Sequence, residues 1–196
     1  HKEYRRQRQM CIRDRSNRTL ETKMVDQKVS MPVAIAPTGL TGMQRADGEI
    51  LAAQAAEEFG IPYTLSTMSV CSIEAVAEKT KKPFWFQLYV MKDKKFMERL
   101  IDRAKEAKCS ALVLTLDLQL LGQRHKDIRN GLSTPPKLIP KHVYQVLSRP
   151  MWCLRMLTTK NHFFGNIVGH VDGINDIRSL GSWIGTQFDQ KLDWKE

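Results

Sequence analysis

Four short apolar runs, separated by amphipathic stretches, constrain the fold of this 196-residue chain more than any other feature. Residues 32–37 (PVAIAP), 63–65, 83–90 (PFWFQLYV) and 111–116 (ALVLTL) are nearly continuous in apolar side chains. Strands that are buried on both faces have such runs, whereas strands with one wet face alternate polar and apolar residues. The runs therefore predict strands of a parallel sheet that is covered on both sides.

The stretches between the runs predict helices. Asp47 is placed to cap a first helix, Ser72 a second over residues 73–79, and Asp93 a third that reaches about residue 107. Strands and helices thus alternate with short connections, which is the pattern of βαβ units. An open doubly wound sheet and a closed (β/α)₈ barrel both fit four such units.

The alternation ends after Asp117. Residues 118–182 contain prolines, aromatic and basic side chains, and one short helical candidate at residues 142–147. Stretches of this length without repeated units are usually functional excursions, such as lids, or disordered segments. Apolar side chains such as Trp152 and Phe164 argue against full disorder. We therefore expect a functional excursion here.

The net charge of +10 is unevenly distributed. Residues 1–15 carry six basic side chains against two acidic ones, a net of +4, and the rest is spread thinly over the chain. The first fifteen residues lack helical or strand periodicity and resemble a translated sequencing adapter. We predict a non-native basic leader over residues 1–15, with a native basic arm as the alternative, and one domain over residues 16–196. No nucleic-acid partner is expected.

Other bulk features exclude several classes of protein. No apolar run approaches the roughly 20 residues that span a bilayer, and no signal peptide is visible, so we expect a cytoplasmic protein or one bound peripherally to a membrane. The four cysteines are widely spaced, and no histidine stands in metal-ligand spacing with another histidine or a cysteine. Neither a disulfide framework nor a metal site is predicted.

Each apolar run ends in hydrogen-bonding side chains. They are Thr38 after the first run, Ser66 after the second, Gln87 and Tyr89 in the third, and Thr115 and Asp117 at the fourth. In parallel α/β barrels the active site is built at the carboxyl ends of the strands. These residues therefore predict one wall of a ligand pocket. Glycine-rich dinucleotide and nucleoside-triphosphate motifs are not present.

Five segments carry a family resemblance. The strings SMPVAIAPTGLTGM, GIPYTLSTMSV, PFWFQLYV, LVLTLDL and GQRHKDIRNGLS resemble, in order and spacing, the FMN-dependent α-hydroxy-acid dehydrogenases. The resemblance runs from about residue 16 to residue 196 and is strongest to the bacterial quinone-linked branch that acts on L-lactate. It implies a (β/α)₈ TIM barrel, of which this chain supplies about the first four βα units plus a long excursion.

The resemblance also implies that FMN lies across the strand ends. The flavin ring would rest against the backbone of three residues after the first strand: Ala36, Pro37 and Thr38. The polar edge of the ring would receive hydrogen bonds from Ser66, Gln87 and Thr115.

Three further residues would serve the substrate, a small L-2-hydroxy acid that is oxidised to a 2-keto acid. Tyr89 would contact the substrate oxygens, and Arg124 would pair with the substrate carboxylate. Asp117 would orient the catalytic histidine and stabilise its charged form. The resemblance implies a quinone or another electron acceptor, a homo-oligomeric parent protein, and peripheral contact with the inner face of the plasma membrane.

The family's catalytic histidine, flavin-contacting lysine, second substrate arginine and phosphate loops are expected beyond residue 196. We therefore expect the 196-residue chain by itself to be inactive and to hold FMN weakly.

Three alternatives remain open from the sequence. A glycolate- or mandelate-type enzyme would differ in the residues after Asp117. A basic nucleic-acid-binding protein would cluster its cations with exposed aromatic residues, whereas the one dense cluster here is the leader. A non-catalytic half-barrel that only mediates association would have no use for polar side chains at four strand ends.

Overall fold

The structure is a computed structural model that describes residues 18–116, 125–130, 140–171 and 177–187. The described part begins with an antiparallel hairpin of β1 (Thr22–Met24) and β2 (Gln27–Val29). The hairpin precedes the first predicted strand.

A parallel sheet forms the centre of the fold. Its strands are β3 (Thr64–Ser66), β4 (Trp85–Tyr89) and β5 (Ala111–Thr115), and they are neighbours in chain order. A parallel bridge from Ile35 to Tyr63 places the first apolar run beside β3. In doubly wound sheets the strand order reverses, so that a fourth strand would lie beside the first. The sequential order here is that of a barrel segment.

The first predicted strand, over residues 32–37, is present only as the bridge at Ile35. Both of its ends are prolines, Pro32 and Pro37, which have no N–H group to donate to a sheet. Regular pairing is therefore limited to the centre of the run. The other three predicted strands are confirmed.

Four helices accompany the first half of the chain: α1 (Thr41–Gln44), α2 (Gly48–Phe59), α3 (Ile73–Lys79) and α4 (Lys94–Glu106). Two of the predicted caps are confirmed. The Ser72 hydroxyl accepts a hydrogen bond from the amide of Ala75 at 3.1 Å, and the Asp93 carboxylate accepts one from the amide of Phe96 at 2.9 Å. Each satisfies an amide that the helix itself leaves without a partner.

Asp47 occupies the predicted N-cap position of α2, but its side chain does not cap the helix. Asp47 precedes α2 in a left-handed conformation (φ 56°), and its side chain makes no capping hydrogen bond. Its carboxylate instead accepts hydrogen bonds from the Thr159 hydroxyl and the Asn161 amide, both at 2.7 Å. The carboxylate is thus used for a long-range contact that local sequence does not reveal.

The excursion contains more helix than the sequence predicted. The described residues include α5 (His125–Arg129), α6 (Pro140–Leu147), α7 (Pro150–Thr158) and α8 (Ile177–Gln187). Only α6 corresponds to the predicted candidate. A proline in the first turn, where no N–H is needed, marks the start of α7. None of the helices within the described ranges combines the length and apolar character needed to cross a bilayer.

The hydrophobic core lies between the sheet and its helices and extends into the excursion. Phe86 of β4 and Phe96 of α4 are fully buried, together with Ile167 and Leu180 from the excursion. The ring of Trp183 packs edge-on against Phe96, with the ring centroids 5.4 Å apart. The described residues after the loop at 159–164 are therefore part of the folded body.

Candidate functional site

Three polar side chains form a hydrogen-bonded row across the ends of three neighbouring strands. The Ser66 hydroxyl donates to the Gln87 carboxamide oxygen at 3.2 Å, and the Gln87 amide nitrogen donates to the Thr115 hydroxyl at 2.9 Å. We call these residues the polar row. They are the three side chains that the sequence analysis assigned to the edge of a flavin ring.

The alternation of side chains along β4 explains why the row forms. Phe86 and Leu88 point toward the helices and are buried, so Gln87 and Tyr89 point to the opposite side of the sheet. Residues paired across parallel strands share a face, and Tyr89 is paired with Thr115. The polar row and Tyr89 therefore lie on one side of the sheet, with Tyr89 half-buried.

The loop after the first strand lies at the same end of the sheet. Ala36, Pro37 and Thr38 are exposed to solvent, as residues that face a ligand would be. The amide of Leu40 donates to the carbonyl of Met68 at 3.1 Å and so joins this loop to the one that follows β3.

A buried carboxylate holds the same two loops together. Glu49 in the first turn of α2 is fully buried, and its Oε1 accepts hydrogen bonds from the amides of Gly42 and Val70, each at 3.0 Å. A Cβ atom on Gly42 would lie 2.6 Å from the Cβ of Val70, so only glycine permits this approach. Burial and the neighbouring Glu49 raise the pKa of the Cys71 thiol, which stays protonated at neutral pH.

The excursion contacts two of the loops that follow the strands. The Trp152 indole N–H donates to the carbonyl of Met43, a residue of α1, at 3.1 Å. Just after the excursion, Gln187 at the end of α8 accepts hydrogen bonds from the amides of Lys92 and Asp93, at 2.9 and 3.0 Å. These contacts support the loops after the first strand and after β4.

The predicted site residues thus fall into three groups. Ser66, Gln87 and Thr115 are in direct contact, and Tyr89 follows on the same side of the sheet. The exposed backbone of residues 36–38 lies at the same end of the sheet. Asp117 and Arg124 lie outside the described residues.

Neither the burial of Glu49 nor the long-range contact of Asp47 was predicted from the sequence. An acidic residue in a first helical turn is an ordinary surface feature, because it favours the helix dipole. The one signal available in the sequence was the pair of glycines, Gly42 and Gly48. A Cβ on Gly42 would lie 2.8 Å from Oε2 of Glu49, and one on Gly48 would lie 2.8 Å from the carbonyl oxygen of Thr41.

A cavity of about 260 Å³ lies at the other end of the strands. It is bordered by the beginnings of the second and third apolar runs and by the β1–β2 hairpin, including Lys28, Val29, Tyr63, Lys82 and Phe84. Active sites of parallel barrels lie at the carboxyl ends, so this cavity is distinct from the candidate site.

Comparison with known protein families gives a match over almost the whole chain. The model of a family described as "FMN-dependent dehydrogenase" matches residues 3–196. The match begins inside residues 1–15, whose assignment as a leader stays a prediction.

Two curated relatives are named L-lactate dehydrogenase. The protein of Vibrio parahaemolyticus is 42% identical over 190 residues, which cover 96% of this chain and 50% of that protein. The protein of Acinetobacter baylyi is also 42% identical, with coverages of 96% and 49%. The chain thus spans about half the length of these relatives.

Two solved structures also resemble this chain over part of their length. A structure of (S)-mandelate dehydrogenase, described as a monotopic membrane protein, superposes with a TM-score of 0.82 at 30% identity, covering 92% of this chain and 48% of that one. A mandelate oxidase structure with (S)-mandelic acid superposes with a TM-score of 0.56 at 36% identity, covering 59% and 34%.

Proposed function

Because this chain belongs to the family of FMN-dependent dehydrogenases, we propose that its parent protein oxidises an L-2-hydroxy acid to the corresponding 2-keto acid. The predicted family, and FMN as the family's cofactor, are confirmed by the family match. The observation that carries the proposal for this chain is the polar row of Ser66, Gln87 and Thr115 at adjacent strand ends.

The chemistry of the polar row fits the edge of a flavin ring. That edge presents both acceptors and a donor, and hydroxyl and carboxamide groups can do the same. A carboxamide has two N–H groups, so Gln87 can donate to Thr115 and still offer a donor to a ligand. The exposed backbone of residues 36–38 would support the ring from the side. FMN, when bound, supplies the acceptance of two electrons.

The substrate would lie beside Tyr89, on the same side of the sheet as the polar row. We assign Tyr89 to hydrogen bonds with the substrate oxygens and Arg124 to the substrate carboxylate, for which a guanidinium fork is suited. Asp117 would orient a basic histidine contributed by the rest of the protein. The curated relatives favour L-lactate as the substrate.

A second substrate class has support of its own. Two of the solved structures that resemble this chain are named as mandelate enzymes. A larger 2-hydroxy acid such as (S)-mandelate, or a smaller one such as glycolate, is therefore the alternative to L-lactate. Residues after Asp117 would decide the choice.

The test is a substrate comparison on the protein encoded by the longest reading frame that contains this chain. We expect FMN-dependent dye reduction with the highest kcat/KM for L-lactate and a loss of at least tenfold in Gln87→Ala. The 196-residue chain alone should reduce no dye with lactate. If the protein binds FMN but oxidises none of L-lactate, (S)-mandelate and glycolate, the proposed reaction is overturned.

We also propose that α6 and α7 contact a membrane surface, at the inner face of the plasma membrane. Both helices leave large apolar side chains exposed, namely Tyr144 (74%), Leu147 (70%), Met151 (61%), Leu154 (58%) and Leu157 (83%). Arg149, Arg155 and Lys160 lie in the same segment. Exposed apolar groups beside cations are typical of helices that lie in the headgroup region of anionic lipid. Such contact would bring the site near a lipid-soluble quinone acceptor.

Vesicle binding tests the membrane contact. We expect the chain to sediment with phosphatidylglycerol vesicles but not with phosphatidylcholine vesicles, and the double variant Leu147→Asn/Leu157→Asn to lose this binding. The control is Leu112→Asn/Leu114→Asn, which changes two exposed leucines of β5. Equal loss in both double variants would contradict the assignment to α6 and α7.

A further inference from the structure

A single asparagine from the excursion enters the loop that follows β3. Asn166 is fully buried, and its side chain lies between the backbone amide of Ile73 and the backbone carbonyl of Ser66. Its Oδ1 accepts from Ile73 at 2.9 Å, while its Nδ2 donates to the Ser66 carbonyl at 3.3 Å and to the Ser69 hydroxyl at 3.0 Å.

The partners fix the orientation of this carboxamide. A backbone N–H can only donate and a backbone carbonyl can only accept, so the oxygen must face Ile73 and the nitrogen must face Ser66. Turning the amide over would place its N–H groups against the N–H of Ile73 and its oxygen against the carbonyl oxygen of Ser66. Such donor–donor and acceptor–acceptor contacts are costly inside a protein. Asn166 therefore has one orientation in this site.

The backbone around Asn166 is held as firmly as its side chain. The amide of Gly165 donates to the carbonyl of Val70 at 3.1 Å, and a Cβ on Gly165 would lie 2.7 Å from the amide nitrogen of Ser72. On the other side, Arg103 donates from Nη1 to the Asn166 carbonyl at 3.1 Å and pairs with Glu74 through Nε at 2.6 Å. The excursion thus meets the β3 loop at a point where only glycine fits.

Ser66 links this contact to the polar row. Its carbonyl accepts from Asn166 and from the Ser69 amide, while its hydroxyl donates to Gln87. Holding the Ser66 carbonyl keeps the loop in place, and within that loop the Met68 amide donates to the Ser66 hydroxyl oxygen at 3.1 Å. The hydroxyl is thereby directed at the carboxamide oxygen of Gln87. Gln87 in turn sets the position of its contact with Thr115.

We propose that Asn166 is a positioning residue for the polar row, acting through Ser66 to orient the groups that would meet the flavin edge. The inference rests on the proposed function for its biological purpose. It adds a role for the excursion, which supplies a structural part of the cofactor wall from about 100 residues farther along the chain.

The test uses the 196-residue chain without FMN and compares Asn166→Ala, Asn166→Asp and Asn161→Ala. Asn161 is the matched control, because it too joins the excursion to the body, at Asp47, but makes no contact with Ser66. Asn166→Asp keeps an acceptor for Ile73 and removes the donor to Ser66. NMR reports the side-chain amide signal of Gln87, and hydrogen exchange reports the amides of Met68 and Ser69.

We expect both Asn166 variants to shift the Gln87 side-chain signal and to speed exchange at Ser69 roughly tenfold, the loss of about one net hydrogen bond. Asn161→Ala should leave both readouts unchanged. A role limited to attaching the excursion to the body would instead leave the Gln87 side-chain signal unchanged in both Asn166 variants, and that result would overturn the proposal.

Two further measurements keep the outcome decisive. If Asn166→Ala does not fold, the side-chain amide protons of Asn166 in the unaltered chain should exchange much more slowly than those of the exposed Asn130. Equal exchange rates would overturn the proposal. Titration with FMN separates the two hypotheses. If the Asn166 variants shift the Gln87 signal but millimolar FMN does not shift the signals of the polar row, the positioning role is supported and the proposed cofactor site is contradicted.

Discussion

Two adjacent strands of the same sheet differ sharply in how their apolar side chains are covered. Phe86 and Leu88 of β4 are 0% and 3% exposed. Their register partners on β5, Leu112 and Leu114, lie on the same face and are 47% and 50% exposed. The two strands have equally apolar sequences, yet only one of them lies in a finished core.

The difference shows that an apolar run predicts a strand but does not show which part of the chain will pack against that strand and bury its side chains. The face of β4 is covered by α3 and α4, whose sequences lie directly beside it in the chain. In barrels each strand is covered in part by the helix that follows it. Leu112 and Leu114 therefore mark the face on which we expect further barrel helices of the parent protein to pack.

The largest expected effect separates the two strands directly. Leu88→Ala should lower the free energy of unfolding by about 2–5 kcal/mol, because it leaves a cavity in a packed core. Leu114→Ala should cost less than about 1 kcal/mol, because half of its side chain is already in water. Chemical denaturation of the 196-residue chain measures both. Similar losses for these register partners would contradict the contrast between the strands.

A second comparison concerns two carboxylates on α2. Glu49→Ala should cost about 2–4 kcal/mol, because it leaves the buried amides of Gly42 and Val70 without their acceptor. Glu57→Ala is the control, since the Glu57 carboxylate accepts from the Lys81 amide in an exposed setting. Its loss should stay below about 1 kcal/mol. Hydrogen exchange at the Val70 amide should become faster in Glu49→Ala alone. An unchanged exchange rate at Val70 would contradict the role of Glu49 in joining the two loops.

Local rules predicted the elements whose stabilising contacts are local. The caps at Ser72 and Asp93 and the strands around Phe86 follow from neighbouring residues in the sequence. The polar row could also be predicted from the sequence, because the strand ends of a parallel sheet meet at one edge.

Glu49, Asp47 and Asn166 were not predictable in the same way. Their partners lie between 7 and 114 residues away in the sequence, and each is an ordinary polar residue until the chain folds. Helix α7 has no buried residue, so no core-facing apolar stripe marks it in the sequence. Helix α8 packs its Trp183 against Phe96, which lies far away along the chain, and local sequence does not reveal that contact.

A smaller effect is expected where the excursion meets α2. Asp47→Ala removes the acceptor shared by Thr159 and Asn161 and should cost about 1–2 kcal/mol. Trypsin should then cut faster at Arg155 and Lys160, while cleavage at Lys94 in α4 stays unchanged. Asp102→Ala, on the exposed side of α4, is the control. Uniformly faster cleavage throughout the chain would indicate general unfolding rather than a local contact.

The smallest effect concerns pH. A hydrogen bond from Arg103 holds the pKa of Glu74 down to about 2 from its ordinary value of 4.5. The stabilisation from this pair is therefore fully present above about pH 4.5 and is lost as the pH falls toward 2. Because half of the Glu74 side chain is exposed, the loss should stay below about 1 kcal/mol.

Glu74→Gln should flatten that part of the stability curve, whereas Glu78→Gln, an exposed carboxylate on the same helix, should not. Denaturation curves between pH 2 and pH 5 measure the difference. If the free energy of unfolding depends on pH equally in both variants, the Glu74–Arg103 pair does not cause the loss of stability.

The assignment of the polar row to the flavin edge is tested most directly by an NMR titration of the isotopically labelled 196-residue chain with millimolar FMN. We expect the largest shifts on the Gln87 side-chain amide and on the backbone of Ser66, Thr115 and residues 36–38, and we expect Gln87→Ala to remove them. Shifts confined to the cavity beside Lys28 and Lys82, or no shift along the polar row, would contradict it.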